Sequence, residues 1–180
     1  MLTLITGGSR SGKSFYGLTL ARQHRGRRAF IATATSIDDE MKARIENHQT
    51  ERGDDFVTFE EPVNIAMVID KLQKDAFNVA VIDCLTVWLG NLYHAFQSDD
   101  AAIRSHIEKL AESLKKSELD IIAITNEVGM GIVPDNELAR RFRDMAGYVN
   151  RAIASIADEV YLCCCGIPIQ IKGKDGKKHG

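Results

Sequence analysis

The sequence has no excess of charge of either sign: 23 Lys and Arg stand against 25 Asp and Glu, giving a net charge of -2 and a pI near 6.2. That balance excludes the broad positive field of a general nucleic-acid binder. It also lacks any apolar run approaching the ~20 residues of a membrane-spanning helix. The opening "MLTLITGG" carries no basic leader and no small-residue cleavage site, so no export signal and a cytoplasmic location are expected. The four cysteines, Cys84 and the consecutive Cys163, Cys164 and Cys165, contain no C-x-x-C pair. Three in a row on a strand alternate between faces and cannot converge on one tetrahedral ion, which argues against zinc. They read as small buried hydrophobes in a reducing compartment.

What remains is a chain of 180 residues, 44% hydrophobic and 27% charged, enough for one soluble domain with a real core. No internal repeat is present. "LTLIT" (2–6) predicts a buried strand, and "GGSRSGKS" (7–14) is followed by a helix to about His24. "RRAFIATA" (27–34) holds a second strand. "SIDDEMKARIENHQTER" (36–52) reads as a helix, with Ser36 and Asp39 resembling a capping box. A strand at 56–60 precedes a helix at 61–74 with Pro62 near its first turn. A strand at 78–84, a helix at 99–117, a strand at 119–127 and a long helix at 134–159 follow. On the long helix Leu138, Phe142, Met145, Val149 and Ile153 share one face. Residues 160–172 read as a strand, a Gly/Pro turn and a short strand.

Alternating strands and helices, with several strands apolar throughout, predict an α/β fold: a single domain whose mainly parallel sheet carries helices on both faces. The last two strands are close enough for an antiparallel edge hairpin. The domain is expected over 1–172, with the basic, glycine-rich 173–180 as a frayed tail.

Gly7, four residues, then Gly12-Lys13-Ser14 completes the phosphate-loop pattern, with an apolar strand before it and a helix after it. The chemistry dictates the residue types. The backbone N–H groups from Gly7 to Ser14, through Gly8, Ser9, Arg10 and Ser11, form an anion nest at a positive helix N-terminus. Gly7, Gly8 and Gly12 permit the backbone angles and close phosphate approach. Lys13 reaches the β- and γ-phosphates, and the Ser14 hydroxyl sits on Mg²⁺. Asp83, closing the strand "VAVID", stands where such proteins place a metal-directed acid. Its alternative is an N-cap or loop acid. An N-K-x-D base-reading motif is missing, since the nearest segment is "TNEV" (125–128), so a regulatory GTPase is not indicated.

His48 has no evident task in phosphoryl transfer. On the expected helix it shares a face with Met41 and Ile45, which makes it a packed or capping histidine. Arg44, His48 and Arg52 are also spaced by four. Two flanking guanidiniums would keep the imidazole neutral and attract phosphate, which makes it a nucleophile. The spacing leaves both readings open.

The segments "TGGSRSGKS", "IATATSIDDEMKARIENHQTER" and "TNEVGMGIVPDNELARRFRDMAGYVNR" together closely resemble the bifunctional adenosylcobinamide kinase/adenosylcobinamide-phosphate guanylyltransferase family of cobalamin biosynthesis. The resemblance runs from Met1 to about Lys172, and "NEVGMGIVP" (126–134) is more specific than the phosphate loop. It implies a P-loop domain of the RecA-like branch, and an enzyme that phosphorylates the cobinamide hydroxyl with ATP or GTP. It further implies that a histidine at His48 attacks the α-phosphate of GTP, and that the resulting GMP-histidine passes GMP to cobinamide phosphate, giving adenosylcobinamide-GDP. His48, Lys13 and Asp83 are the implied catalytic set.

Gly7 to Ser14 match the family's nucleotide loop. Thr33, Ala34 and Thr35 match a nucleotide-contacting turn. Gln49, Thr50, Glu51 and Arg52 match a contact segment after the histidine, and Glu60 matches an acid that contacts the nucleotide. Gln49 departs from a position often basic in the family. The implied cofactor is Mg²⁺ at Ser14 and Asp83. The implied partners are a small corrinoid substrate and further copies of the chain, reported for the family as trimers; neither nucleic acid nor membrane is implied. Gly129 and Gly131 either shape a loop or bind substrate. Arg140 and Arg143 are solvated or meet a neighbouring subunit. The rival readings are a small-molecule kinase with a structural His48, and a non-catalytic nucleotide-binding module.

Overall fold

The computed structural model describes residues 1–35 and 53–173. The helix expected over 36–52, including His48 and Gln49 to Arg52, lies outside the described residues, as does the tail from 174. The described elements run β1 (Leu2–Gly7), α1 (Lys13–Gln23), β2 (Arg28–Ala32), a 3-10 turn (Gly53–Asp55), β3 (Val57–Glu60), α2 (Ile65–Lys74), β4 (Val79–Asp83), α3 (Leu85–Ala95), α4 (Asp100–Lys116), β5 (Asp120–Ile124), α5 (Glu137–Ile156), β6 (Glu159–Cys164) and β7 (Ile167–Lys172).

The strands form one seven-stranded sheet in the order β3-β2-β4-β5-β1-β6-β7. All pairs are parallel except β6 with β7, so the expected edge hairpin is present. β1 lies inside the sheet between β5 and β6. Its side chains alternate between two cores. Leu4 joins Ile82, Ala123, Trp88 and Ile107 under α2 to α5, whereas Ile5 joins Phe30, Val81, Ile122 and Leu18 under α1. Burial on both faces is why the central strands are apolar without alternation. Each fully buried Leu or Ile contributes about 1.5–3 kcal/mol relative to exposure.

Two of the helices begin where a side-chain acceptor satisfies the first N–H groups. Asp99 accepts from Ala101 N and Ala102 N at the start of α4 (2.9 and 3.3 Å), and Asn136 accepts from Ala139 N at α5 (2.7 Å). Ahead of α2 the Glu61 carboxylate accepts from Val63 N and Asn64 N (2.8 and 2.7 Å). This turn keeps Pro62 outside the helix, where the sequence pattern had placed it inside.

Three further expectations change. Leu85–Ala95 is a helix that the sequence reading left unassigned. Leu138 is 55% exposed and does not belong to the buried face of α5, which consists of Met145, Ala146, Val149 and Ile153. Cys84 and Cys163 are buried as expected, but Cys164 and Cys165 are exposed, because they sit at the tip of the edge hairpin.

Candidate nucleotide site at the carboxyl end of the sheet

The phosphate loop leaves β1 at the carboxyl end of the parallel strands, the edge where open α/β sheets bind ligands. Its shape is fixed by its neighbours. Gly7 has φ 152 and pairs with Cys163 of β6, and its carbonyl accepts from Glu127 N at 3.0 Å. Gly12 lies in the left-handed region at φ 89, immediately before α1. It packs so closely on Gly166 of the β6–β7 turn that a Cβ would lie 3.2 Å from the Gly166 Cα. Gly166 N also donates to Ser11 O at 3.1 Å. The edge hairpin therefore braces the loop from outside.

Within the loop, Gly8, Ser9 and Arg10 are exposed, Ser14 is half-buried, and Lys13 is only 7% exposed. Lys13 Nζ donates to Gly8 O at 2.6 Å, which holds the ammonium across the loop. No side chain caps α1, and its first turn contains no acid. Its leading N–H groups are thus oriented to meet an anion. Ser11 is tucked beneath the loop: its Oγ would lie 2.8 Å from a Cβ on Gly7.

Asp83 closes β4 and is in register with Ile124 of β5, which is in register with Ile5 of β1. Two strand spacings, about 10 Å, separate it laterally from the phosphate-loop strand. Ser14 and Asp83 supply hard oxygen donors, which fits Mg²⁺ completed by phosphate oxygens and water. Among the described residues no group of three His, Cys, Asp or Glu could hold a metal by itself. An ion here would therefore take most of its shell from the nucleotide. Burial pushes the neighbouring Cys84 thiol up to about 11, so it stays protonated and inert near neutral pH.

The turn after β2 divides in two. Thr33 is fully buried, and its hydroxyl donates to Cys84 O (2.9 Å) and accepts from Cys84 N (2.8 Å). Its carbonyl accepts from Asn91 Nδ2 at 2.8 Å. Thr33 thus ties β2 to the end of β4, while Ala34 and Thr35 are the more accessible part of the turn. Glu60 is exposed at the end of β3, four strands from β1. At ~4.8 Å per strand that is roughly 19 Å, so the structure does not bring Glu60 to the phosphate loop.

A polar network that the sequence reading missed lies between these elements. Thr86 at the start of α3 meets Thr125 (Oγ1 to Oγ1, 3.2 Å) and accepts from Asn126 N (2.8 Å). Thr125 donates to Asn150 Oδ1 (2.7 Å), and Asn150 Nδ2 donates to Asn126 O (3.2 Å). Thr86 follows Asp83 by three residues, which was the available signal. In the "NEVGMGIVP" loop, Gly129 N donates to Glu127 Oε1 at 2.6 Å, and Arg143 donates to Gly129 O. Arg140 donates to Pro134 O and Asp135 O (3.1 and 2.6 Å). Both arginines hold the loop of their own chain. The loop presents Met130, Ile132 and Val133 to solvent, at 82%, 96% and 60% exposure. A cavity of about 220 Å³ lined by Met1, His24, Asp120 and Tyr161 lies at the opposite end of the sheet and takes no part in this constellation.

The family profile described as cobinamide kinase / cobinamide phosphate guanyltransferase matches residues 3–171. The chain is 36% identical over 183 residues to the bifunctional adenosylcobalamin biosynthesis protein CobU of Escherichia coli, covering 96% of this chain and 100% of that one. It is 37% identical to the CobU of Salmonella typhimurium over 185 residues, 96% of this chain and 100% of the relative. It is also 37% identical to the CobP of Pseudomonas aeruginosa over 174 residues, 97% of this chain and 99% of the relative. Among solved structures, a RadB recombinase superposes with a TM-score of 0.48 at 16% identity, covering 89% of this chain and 73% of that one.

Proposed function

We propose, from the premise that the chain belongs to the cobinamide kinase / cobinamide phosphate guanyltransferase family, that it performs both reactions of that name on one nucleotide site. It phosphorylates adenosylcobinamide with ATP or GTP, then transfers GMP from GTP through a GMP-histidine at His48 to give adenosylcobinamide-GDP. The observation that carries the reading is the phosphate loop itself: a nearly buried Lys13 held across the loop, at the same end of the sheet as Asp83.

In the kinase step the backbone of Gly7 to Ser14, with Ser9, Arg10 and Ser11 in its middle, cradles the β- and γ-phosphates, and Lys13 offsets the charge that develops there. Mg²⁺, held by Ser14 and Asp83, would further neutralise the phosphates. The acceptor hydroxyl attacks the γ-phosphate in line. In the transferase step the neutral imidazole of His48 attacks the α-phosphate, pyrophosphate leaves, and the phosphate of the corrinoid then displaces the histidine. Ala34, Thr35 and the segment Gln49, Thr50, Glu51 and Arg52 contribute nucleotide contacts in this reading. Glu60 serves the nucleotide's far end. Copies of the chain assemble into a trimer, and the enzyme works in the cytoplasm. The described residues contain no helix long and apolar enough to cross a membrane.

The test is incubation with GTP labelled at the α-phosphate and Mg²⁺, followed by denaturation and mapping, with His48→Asn alongside. Acid-labile, alkali-stable label on His48, absent in the variant, is the expected result. A protein that binds GTP and phosphorylates cobinamide yet takes no label would overturn the transferase mechanism and leave a kinase.

A further inference from the structure

The two exposed cysteines occupy an unusual place. The β6–β7 connection is a two-residue hairpin, Cys165-Gly166, with φ 52 and φ 81. Positive φ at both central positions is the type I′ pattern, for which Asn-Gly or Asp-Gly is the ordinary choice. A cysteine there gains nothing from the backbone, because a residue with a Cβ is strained in the left-handed region. Its side chain does find a partner: the Cys164 thiol donates to Cys165 Sγ at 3.8 Å. Both thiols are free and exposed, whereas Cys84 and Cys163 are buried. The next residue, Gly166, supplies the N–H that holds Ser11 O and packs against Gly12.

We propose that Cys164 and Cys165 form a vicinal dithiol site that exchanges with low-molecular-weight disulfides, and that closing it withdraws the brace on the phosphate loop. One thiol, as thiolate, attacks a sulfur of the small disulfide. The S–S bond of the reagent breaks, a mixed disulfide forms, and one small thiolate leaves. The second cysteine loses its proton and attacks the mixed disulfide at the protein sulfur, expelling the other small thiolate. The two protons end on the two small thiols. The protein dithiol is oxidised by two electrons and the reagent is reduced by two.

Neighbouring Cα atoms lie ~3.8 Å apart, below the ~4.4–6.8 Å that disulfides favour. The closed form is therefore strained and readily reduced, which suits a reversible modification better than a structural bond. Closure resets the torsions of Cys164 and Cys165. Gly166 must follow, and its hydrogen bond to Ser11 O lies inside the nucleotide loop's own backbone.

The experiment uses the full chain and glutathione disulfide. Free thiols are blocked by alkylation after acid quench, and the peptide bearing Cys163 to Cys165 is weighed. Affinity for a fluorescent GTP analogue is measured on the same samples, before and after dithiothreitol. The expected result is a loss of two hydrogens between Cys164 and Cys165 and a several-fold weaker affinity, both reversed by dithiothreitol. Cys164→Ser and Cys165→Ser, each tested separately, should bind nucleotide normally when reduced and show no response to the reagent that is coupled to ring closure. Stable glutathione adducts without the internal bond would overturn the closure. An internal bond with unchanged affinity would overturn the link to the loop. Because the readout is nucleotide affinity, it is independent of whether His48 carries GMP.

Discussion

Alanine at Gly7 and alanine at Gly8 are the same chemical change one residue apart, and they should behave very differently. A Cβ on Gly7 would stand 2.3 Å from Cys163 O and 2.8 Å from Ser11 Oγ, at φ 152. The carbonyl belongs to β6, which is paired on both sides by β1 and β7, so it cannot retreat without opening a ladder. Overpacking of this kind costs about 1–3 kcal/mol, and the unfavourable backbone angle adds roughly 1 more. The expected loss for Gly7→Ala is about 2–4 kcal/mol, which in a chain of this size lowers Tm by roughly 5–15 °C. A Cβ on Gly8 meets nothing within 4 Å, so Gly8→Ala should fall within about 0.5 kcal/mol of the parent. Trp88, the single tryptophan and 1% exposed, reports unfolding in urea without a label. The comparison is made without nucleotide, so that binding does not enter. Equal midpoints for the two variants would refute the claim that β6 sets the shape of the loop.

Other outcomes follow from the same geometry. Thr33→Val leaves the Cys84 N–H buried without its acceptor, while Cys84 O keeps its bond from Trp88 N, and should cost roughly 1–3 kcal/mol by urea unfolding, whereas the exposed Thr35→Val should be near neutral. Lys13→Met should reduce cobinamide phosphorylation by roughly two to three orders of magnitude in a coupled assay, while the Trp88-detected transition changes little. Asn136→Ala removes the acceptor for Ala139 N and should cost about 1 kcal/mol, measured the same way. Arg143→Met releases Gly129 O and should speed limited proteolysis within the loop after β5 while leaving nucleotide affinity intact, as followed by titration of a fluorescent GTP analogue.

The α/β class, the phosphate loop and the antiparallel edge hairpin were legible because each rests on local pattern: apolar runs, glycine spacing, a Gly-containing turn. The place of Asp83 at the end of β4 was legible because an apolar run ends in an acid. What escaped was set by tertiary context. Leu85, Trp88, Leu89, Leu92 and Tyr93 do recur at helical spacing, but Val87 and Ala95 lie off that face, so "LTVWLGNLYHAF" shows little polar contrast. That the Thr33 hydroxyl holds the backbone of Cys84, fifty-one residues away, could not be read from the chain. Leu138 fits the periodic face of α5 but lies one turn beyond the point where the neighbouring elements cover it. The Thr86–Thr125–Asn150 network joins residues far apart in the chain, and apart from the place of Thr86 three residues after Asp83 no spacing announces it.

The central position of β1 has a consequence for how the chain is made. Leu2 pairs with Ile121 and Thr3 with Glu159, so both neighbours of the first strand are synthesised in the final third of the chain. β2, β3 and β4 find one another much earlier, at Ala29 with Val57 and Arg28 with Val79. At ~5–20 residues per second, "LTLIT" waits roughly 6–24 s before β5, its first partner, is made. The strand that leads into the phosphate loop gains its second partner only when β6 is made, and a chain that stops before Glu159 emerges with its phosphate loop unbraced.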